Sequence, residues 1–145
     1  MNVNNPSSTI FYAIEEAIKA YRKLSAREIK KVISDITVDQ ALILQIISEN
    51  QITQTEIADL IFKDYASMTR IIGLMIKKEY IIKTVNEQDK RAAVLKITNK
   101  GEISLKKLSP IINTNRQIAI DGITPNELMQ LKTILNKITQ NCKIN

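Results

Sequence analysis

Between Gln54 and Gly101 the hydrophobic positions fall into three successive patterns. Ile57, Ala58, Leu60 and Ile61 supply the inward face of a short helix. Met68, Ile71, Ile72, Met75 and Ile76 then form a full i, i+3, i+4, i+7, i+8 stripe, which predicts an amphipathic helix over Tyr65 to Lys78. Phe62-Lys63-Asp64 is the turn between them, and the Asp64 carboxylate is suited to accept from the orphan amides that open the second helix. Two short β-rich runs follow, Ile81 to Val85 and Ala93 to Ile97, flanking the charged, turn-prone stretch Asn86 to Arg91. These predict a hairpin. Helix, turn, helix and ribbon in that order make a winged helix-turn-helix.

The flanks are helical. Residues 1 to 8 are polar and frayed, and Thr9 to Ser34 carries Ile10, Ile14, Ala17, Ile18, Tyr21 and Leu24 at helical spacing. Thr37 and Gln40 form a capping box for a strongly apolar helix that ends near Glu49-Asn50; Thr53 and Glu56 do the same for the short helix after it. Thr98-Asn99-Lys100-Gly101 leads into a helix expected to be interrupted or kinked at Pro110. Thr124-Pro125-Asn126-Glu127 starts a last helix, with Leu128, Leu131, Ile134, Leu135 and Ile138 along one side to about Thr139. The expected fold is mainly α with a small two-stranded β-wing. Residues 1–145 form a single domain, in which 37–101 are the winged-helix lobe and 9–36 with 102–140 a helical lobe.

Composition narrows the chemistry. The chain has 145 residues, a net charge of +6, one cysteine (Cys142), three glycines and no histidine. Without histidine, serine–histidine and cysteine–histidine hydrolase schemes and most zinc sites drop out. There is no glycine-rich phosphate loop and no paired-acid motif, so the expectation is no enzyme, no cofactor and no metal. No apolar run approaches membrane-spanning length and Met1 to Ser8 lacks the order of a signal peptide, so the expected location is cytoplasmic. A basic balance favours polyanion partners. Arginine is rare against lysine, five residues in all, and two of them, Arg70 and Arg91, fall in the winged-helix segment.

A helix presented across a short turn fits the major groove of DNA, and residues near its N-terminus reach deepest. Here these are Tyr65, Ala66, Ser67, Thr69 and Arg70, with Gly73 and Lys77 further along the same polar face. Ser67 and Thr69 can contact phosphate or base, Arg70 can take guanine or clamp phosphate, and Ala66 and Gly73 allow close approach. At the ribbon tip Asp89-Lys90-Arg91 is placed to reach the minor groove, where Asp89 can hold the Arg91 guanidinium extended. From Asn50 to Gly101 there are nine basic and six acidic residues, a modest excess that suits docking at a site more than coating of nucleic acid.

At these residues the chain resembles the MarR family of bacterial transcriptional regulators. Thr55-Glu56-Ile57-Ala58-Asp59-Leu60 and Ala66-Ser67-Met68-Thr69-Arg70-Ile71-Ile72 are similar to that family's helix pair. Asp89-Lys90-Arg91 and Leu95-Lys96-Ile97-Thr98-Asn99-Lys100-Gly101 are similar to its wing and the start of its next helix. The resemblance implies a homodimer in which the first and last two helices interlock as a dimerisation lobe. It also implies specific binding to a pseudo-palindromic double-stranded operator, usually as a repressor, and in many relatives release by a small, often aromatic anion. Tyr12, Tyr21 and Arg22 are candidates to bind such an effector, because the first helix borders both lobes in relatives. The chain departs from the family at Phe62 and Glu79, where relatives commonly have glycine, and at Thr84, where a basic residue is common. Either those turns take another geometry, or strain is held there, or Phe62 plugs the core between the two helices. Cys142 is not where the peroxide-sensing branch keeps its cysteine. The alternative is a winged-helix protein-interaction module without specific DNA binding.

Overall fold

The computed structural model describes residues 5–85 and 93–143. After a turn of 3-10 helix at Pro6–Ser8, the order is α1 (Ile10–Val32), α2 (Val38–Glu49), β1 (Ile52–Thr53), α3 (Gln54–Leu60), α4 (Tyr65–Lys77), β2 (Ile81–Thr84), β3 (Val94–Ile97), α5 (Asn99–Ala119) and α6 (Pro125–Cys142). The chain divides into two units between Asn115 and Arg116, within α5.

Side chains fix most helix starts. Thr9 accepts from the Tyr12 amide, Thr53 from Glu56 and Asp64 from Ser67, each satisfying one orphan donor of its first turn. Thr37–Gln40 and Thr124–Glu127 are complete capping boxes. At Thr53 only the threonine half forms. α5 passes through Pro110 without the expected interruption. The proline removes the bond to the Lys106 carbonyl, but both residues are exposed, so water can take that carbonyl.

The sheet has three antiparallel strands in the order β1-β3-β2, one more than the expected ribbon. Ile52 pairs with Leu95 and Thr53 with Val94, while Ile81 to Thr84 pair with Ile97 back to Val94. A two-residue strand is too short to show alternation, so β1 left no mark in the hydrophobic pattern. It matters because it ties the entry to α3 to the ribbon.

In the first unit the core joins Ile29 of α1, Ile43, Leu44 and Ile47 of α2, Ile57 of α3, Met68, Ile71, Ile72 and Met75 of α4, Ile81, Leu95, and Leu108 and Ile112 of α5. The α4 stripe is thus core for four of its five expected members; Ile76 lies at the solvent margin. α1 contributes little beyond Ile29, and Ile10, Phe11, Tyr12 and Ile18 are exposed. In the second unit α6 buries no residue at all, with Met129, Leu131 and Ile134 exposed.

One joint holds the ribbon to the helices. The Thr98 amide donates to the Tyr80 carbonyl at 3.1 Å, its hydroxyl is shared between the carbonyls of Glu79 at 2.6 Å and Tyr80 at 3.0 Å, and the Gly101 amide donates to the Thr98 hydroxyl at 3.0 Å. A β-carbon on Gly101 would stand 2.3 Å from the Tyr80 carbonyl oxygen, closer than atoms approach. The Lys100 ammonium sits 4.6 Å from the centre of the Tyr80 ring and donates to the Lys78 carbonyl at 2.7 Å. The buried Tyr80 hydroxyl donates to the Asp35 carboxylate at 2.8 Å.

Two outcomes test this joint. Gly101→Ala should lower unfolding free energy by about 1 to 3 kcal/mol, the range for forcing atoms into a packed site, in urea denaturation. Burial first, and the Asp35 carboxylate second, push the Tyr80 hydroxyl from 10.0 up to about 12. The folded state therefore keeps this proton longer than the unfolded chain does. Its contribution is full below about 10 and is lost as pH rises through about 12. Unfolding measured from pH 9 to 12 should show that decline, and Tyr80→Phe should remove it.

Candidate nucleic-acid interface

The polar face of α4 is built from below. Met68, Ile71, Ile72 and Met75 anchor the helix, which turns Tyr65, Ala66, Thr69, Arg70, Gly73 and Lys77 outward, all exposed. Arg70 and Lys77 have no ion-pair partner among the described residues. The two cations are therefore available to an outside anion, and seven residues of helix place them two turns apart on that face.

The hydroxyls are less free than their spacing suggests. The Ser67 amide donates to Asp64 Oδ1 at 2.8 Å and its hydroxyl to Oδ2 at 3.0 Å. The Ser67 amide first, and its hydroxyl second, hold the Asp64 carboxyl below its usual range. Thr69 Oγ1 donates to the Tyr65 carbonyl at 3.0 Å and accepts from Gln54 Nε2 at 2.7 Å. Thr69 thus links α4 to α3 through the buried Gln54, a residue the sequence pattern did not single out. Its only signal was a polar side chain at the first position of an otherwise apolar helix face.

Both ends of α4 carry left-handed backbone on residues with a β-carbon, Phe62 at φ 58° and Glu79 at φ 65°. The turns keep the geometry that favours glycine, so strain is held there. Phe62 does not plug the core. Its side chain is 94% exposed, because the left-handed turn points it away from α3 and α4 while Ile61 fills the interior beside it.

A second unforeseen feature is the Asp39 carboxylate in the first turn of α2. It pairs with Arg22 of α1 and, through its other oxygen, with Lys63 of the α3–α4 turn at 3.5 Å. One carboxylate so connects α1, α2 and the turn ahead of α4. Arg22, a candidate effector ligand, is committed to this pairing. Tyr12 lines a shallow cleft of about 320 Å³ with Glu15, Glu16, Lys19, Ala20 and Lys23, all from α1; Tyr21 and Arg22 are not part of it. Asp89, Lys90 and Arg91 lie outside the described residues.

No group of three or more metal-ligating residues occurs among the described residues, and no helix among them is long and apolar enough to cross a membrane. Residues 34–92 match the model of the MarR family. A mutant MarR of E. coli, solved in complex with operator DNA, is 21% identical and has a TM-score of 0.82, over 95% of this chain and 99% of that one. MepR of S. aureus, solved as a DNA complex, is 20% identical with a TM-score of 0.83, over 92% and 98%. The transcriptional regulator SlyA is 25% identical with a TM-score of 0.81, over 92% and 94%.

Gly73 gives this face a direct test. A β-carbon there would meet nothing within 4 Å, so no internal contact requires glycine. In a helix interior glycine is about 1 kcal/mol less favourable than alanine. Gly73→Ala should raise unfolding free energy by roughly that amount. If the face needs close approach to a partner, the same variant should bind DNA more weakly, as read by fluorescence anisotropy on duplex DNA.

Proposed function

We propose that this chain is a winged helix-turn-helix protein of the MarR family, a regulator of transcription that binds a pseudo-palindromic duplex operator as a homodimer and represses by occluding it. The observation that carries the reading is the outward face of α4: Arg70 and Lys77 stand exposed and without ion pairs among the described residues, on a helix whose other side is locked into the core. Such a helix, displayed after a short turn, suits the major groove. Wing residues Lys90 and Arg91, with Asp89 holding the arginine, add contacts to the flanking minor groove.

A second copy of the chain supplies cover for apolar surface. Ile10, Phe11, Tyr12 and Ile18 on α1, and Met129, Leu131 and Ile134 on α6, are all exposed. Exposed apolar patches of this kind mark interaction surfaces. A dimer presents two α4 helices to successive major grooves, about one helical turn apart. A small anionic or aromatic effector acts by binding better to a dimer whose lobes no longer match that spacing. Tyr12, on the α1 cleft, remains our candidate for contact with it, with Tyr21 half-buried on the same helix and Arg22 reachable only if Asp39 yields.

Selection of random duplex DNA by the purified protein tests the reading. Recovery of an inverted repeat with half-sites about one turn apart supports it. Recovery of no motif, with affinity no better than roughly 10⁻⁴ to 10⁻⁶ M at physiological salt, points instead to a module that binds protein. On the selected operator Arg70→Ala should cost about 1 to 3 kcal/mol. An equal loss on random DNA would make Arg70 a phosphate clamp. Arg91→Ala should weaken operator binding while the dimer stays intact by size-exclusion chromatography; unchanged affinity would remove the wing from the mechanism.

A further inference from the structure

Phe62 is anomalous in two independent ways. Its backbone is left-handed, at φ 58°, where a β-carbon is unfavourable. Its ring is 94% exposed, the most exposed of the large hydrophobic side chains described. The turn itself does not need the ring. It is held by main-chain bonds, Phe62 to the Asp59 carbonyl at 3.4 Å and Lys63 to the Ala58 carbonyl at 3.0 Å, which glycine would make equally well. The chain does use glycine for the left-handed position between α5 and α6, Gly122 at φ 78°. Glu79 shares the strain of Phe62, but its side chain is polar and at ease in water. Among the described residues, strain coincides with an uncovered aromatic ring at Phe62 alone.

The location says what could cover it. Phe62 stands two residues before the N-cap Asp64 and three before Tyr65, the exposed aromatic that opens α4. In sequence it leads directly into the helix proposed to enter the major groove. The ring has no donor or acceptor, so it cannot read a base edge by hydrogen bonding. The carboxylates of Asp59 and Asp64 lie on either side of it in sequence, and the adjacent cation, Lys63, is paired with Asp39, which together disfavour a seat against the phosphate chain. The apolar group that the major groove offers is the 5-methyl of thymine.

We propose that Phe62 determines specificity by packing its ring on a thymine methyl beside the bases read by the start of α4. The inference rests on the DNA-binding reading above. It makes the strain at this turn a cost borne by the free protein and offset in the complex.

The experiment uses the full chain and the operator recovered by selection. Each thymine is replaced in turn by deoxyuridine, which lacks only the methyl, and binding of the natural chain and of Phe62→Gly is compared. For the natural chain, deoxyuridine at one position in each half-site should weaken binding about 4-fold per half-site, the worth of one buried methyl group. Phe62→Gly should be weaker on the thymine operator by a similar factor and indifferent to that replacement. Its melting temperature at equal protein concentration should rise by about 2 to 4 °C as the strain is relieved. Phe62→Asn, which also tolerates left-handed backbone, should repeat the binding result and guards against a folding artefact of the glycine.

Three results overturn the proposal: Phe62→Gly binds as tightly as the natural chain; it loses affinity equally on thymine and deoxyuridine DNA; or its melting temperature falls, which would give the ring a role inside the protein. Any of these leaves the DNA-binding reading standing. If the natural chain selects no DNA motif at all, both fail together.

Discussion

The carbonyl oxygen of Tyr80 is the point on which the winged-helix lobe turns. It follows the left-handed residue that ends α4, it begins the ribbon, and it receives both donors of Thr98 as the chain leaves the ribbon for α5. Only glycine at position 101 lets α5 come this close. The Tyr80 ring, buried and bonded at its tip to Asp35, carries the same joint to the loop between α1 and α2. The direction of the ribbon relative to α4 is therefore held by contacts within one turn as well as by Ile81 and Leu95 in the core beneath. Thr98, Lys100 and Gly101, at the end of the ribbon, each touch the α4–β2 corner through a different atom.

Much of this lobe could be read from the chain before any coordinates. The α4 stripe, the threonine and aspartate caps and the two longer strands are local properties, set by spacing and by side chains that bond to their own helix. What was not legible depends on residues far apart in sequence. β1 exists because Leu95 and Val94 come to meet Ile52 and Thr53. The bond of Gln54 to Thr69 and the double pairing of Asp39 need the fold to bring their partners together. α5 is not interrupted at Pro110 for a local reason, since an exposed proline leaves a carbonyl that water can satisfy.

The exposed face of α4 and the turn before it run against several rules for a stable isolated protein. Phe62 holds strained backbone and shows its ring to water, Gly73 weakens the helix with no contact to account for it, and Arg70 has no ion pair among the described residues. Consistency between local and global preference is what makes a sequence foldable, and exceptions gather where a protein meets something else. These three fall on one helix and its leading turn, opposite the side of that helix that buries Met68, Ile71, Ile72 and Met75.

The end of the chain has the opposite character. α6 starts with a complete capping box and a proline at its first turn, so its own residues define where it begins. Yet it buries nothing. A segment whose shape is specified locally but whose apolar side is open meets its partner as a surface already formed. The entropy lost on docking is then mainly that of two bodies becoming one, with little further loss from ordering backbone. Whatever covers α6 should bind with a small change in helical content, and its affinity should follow the apolar area it removes from water.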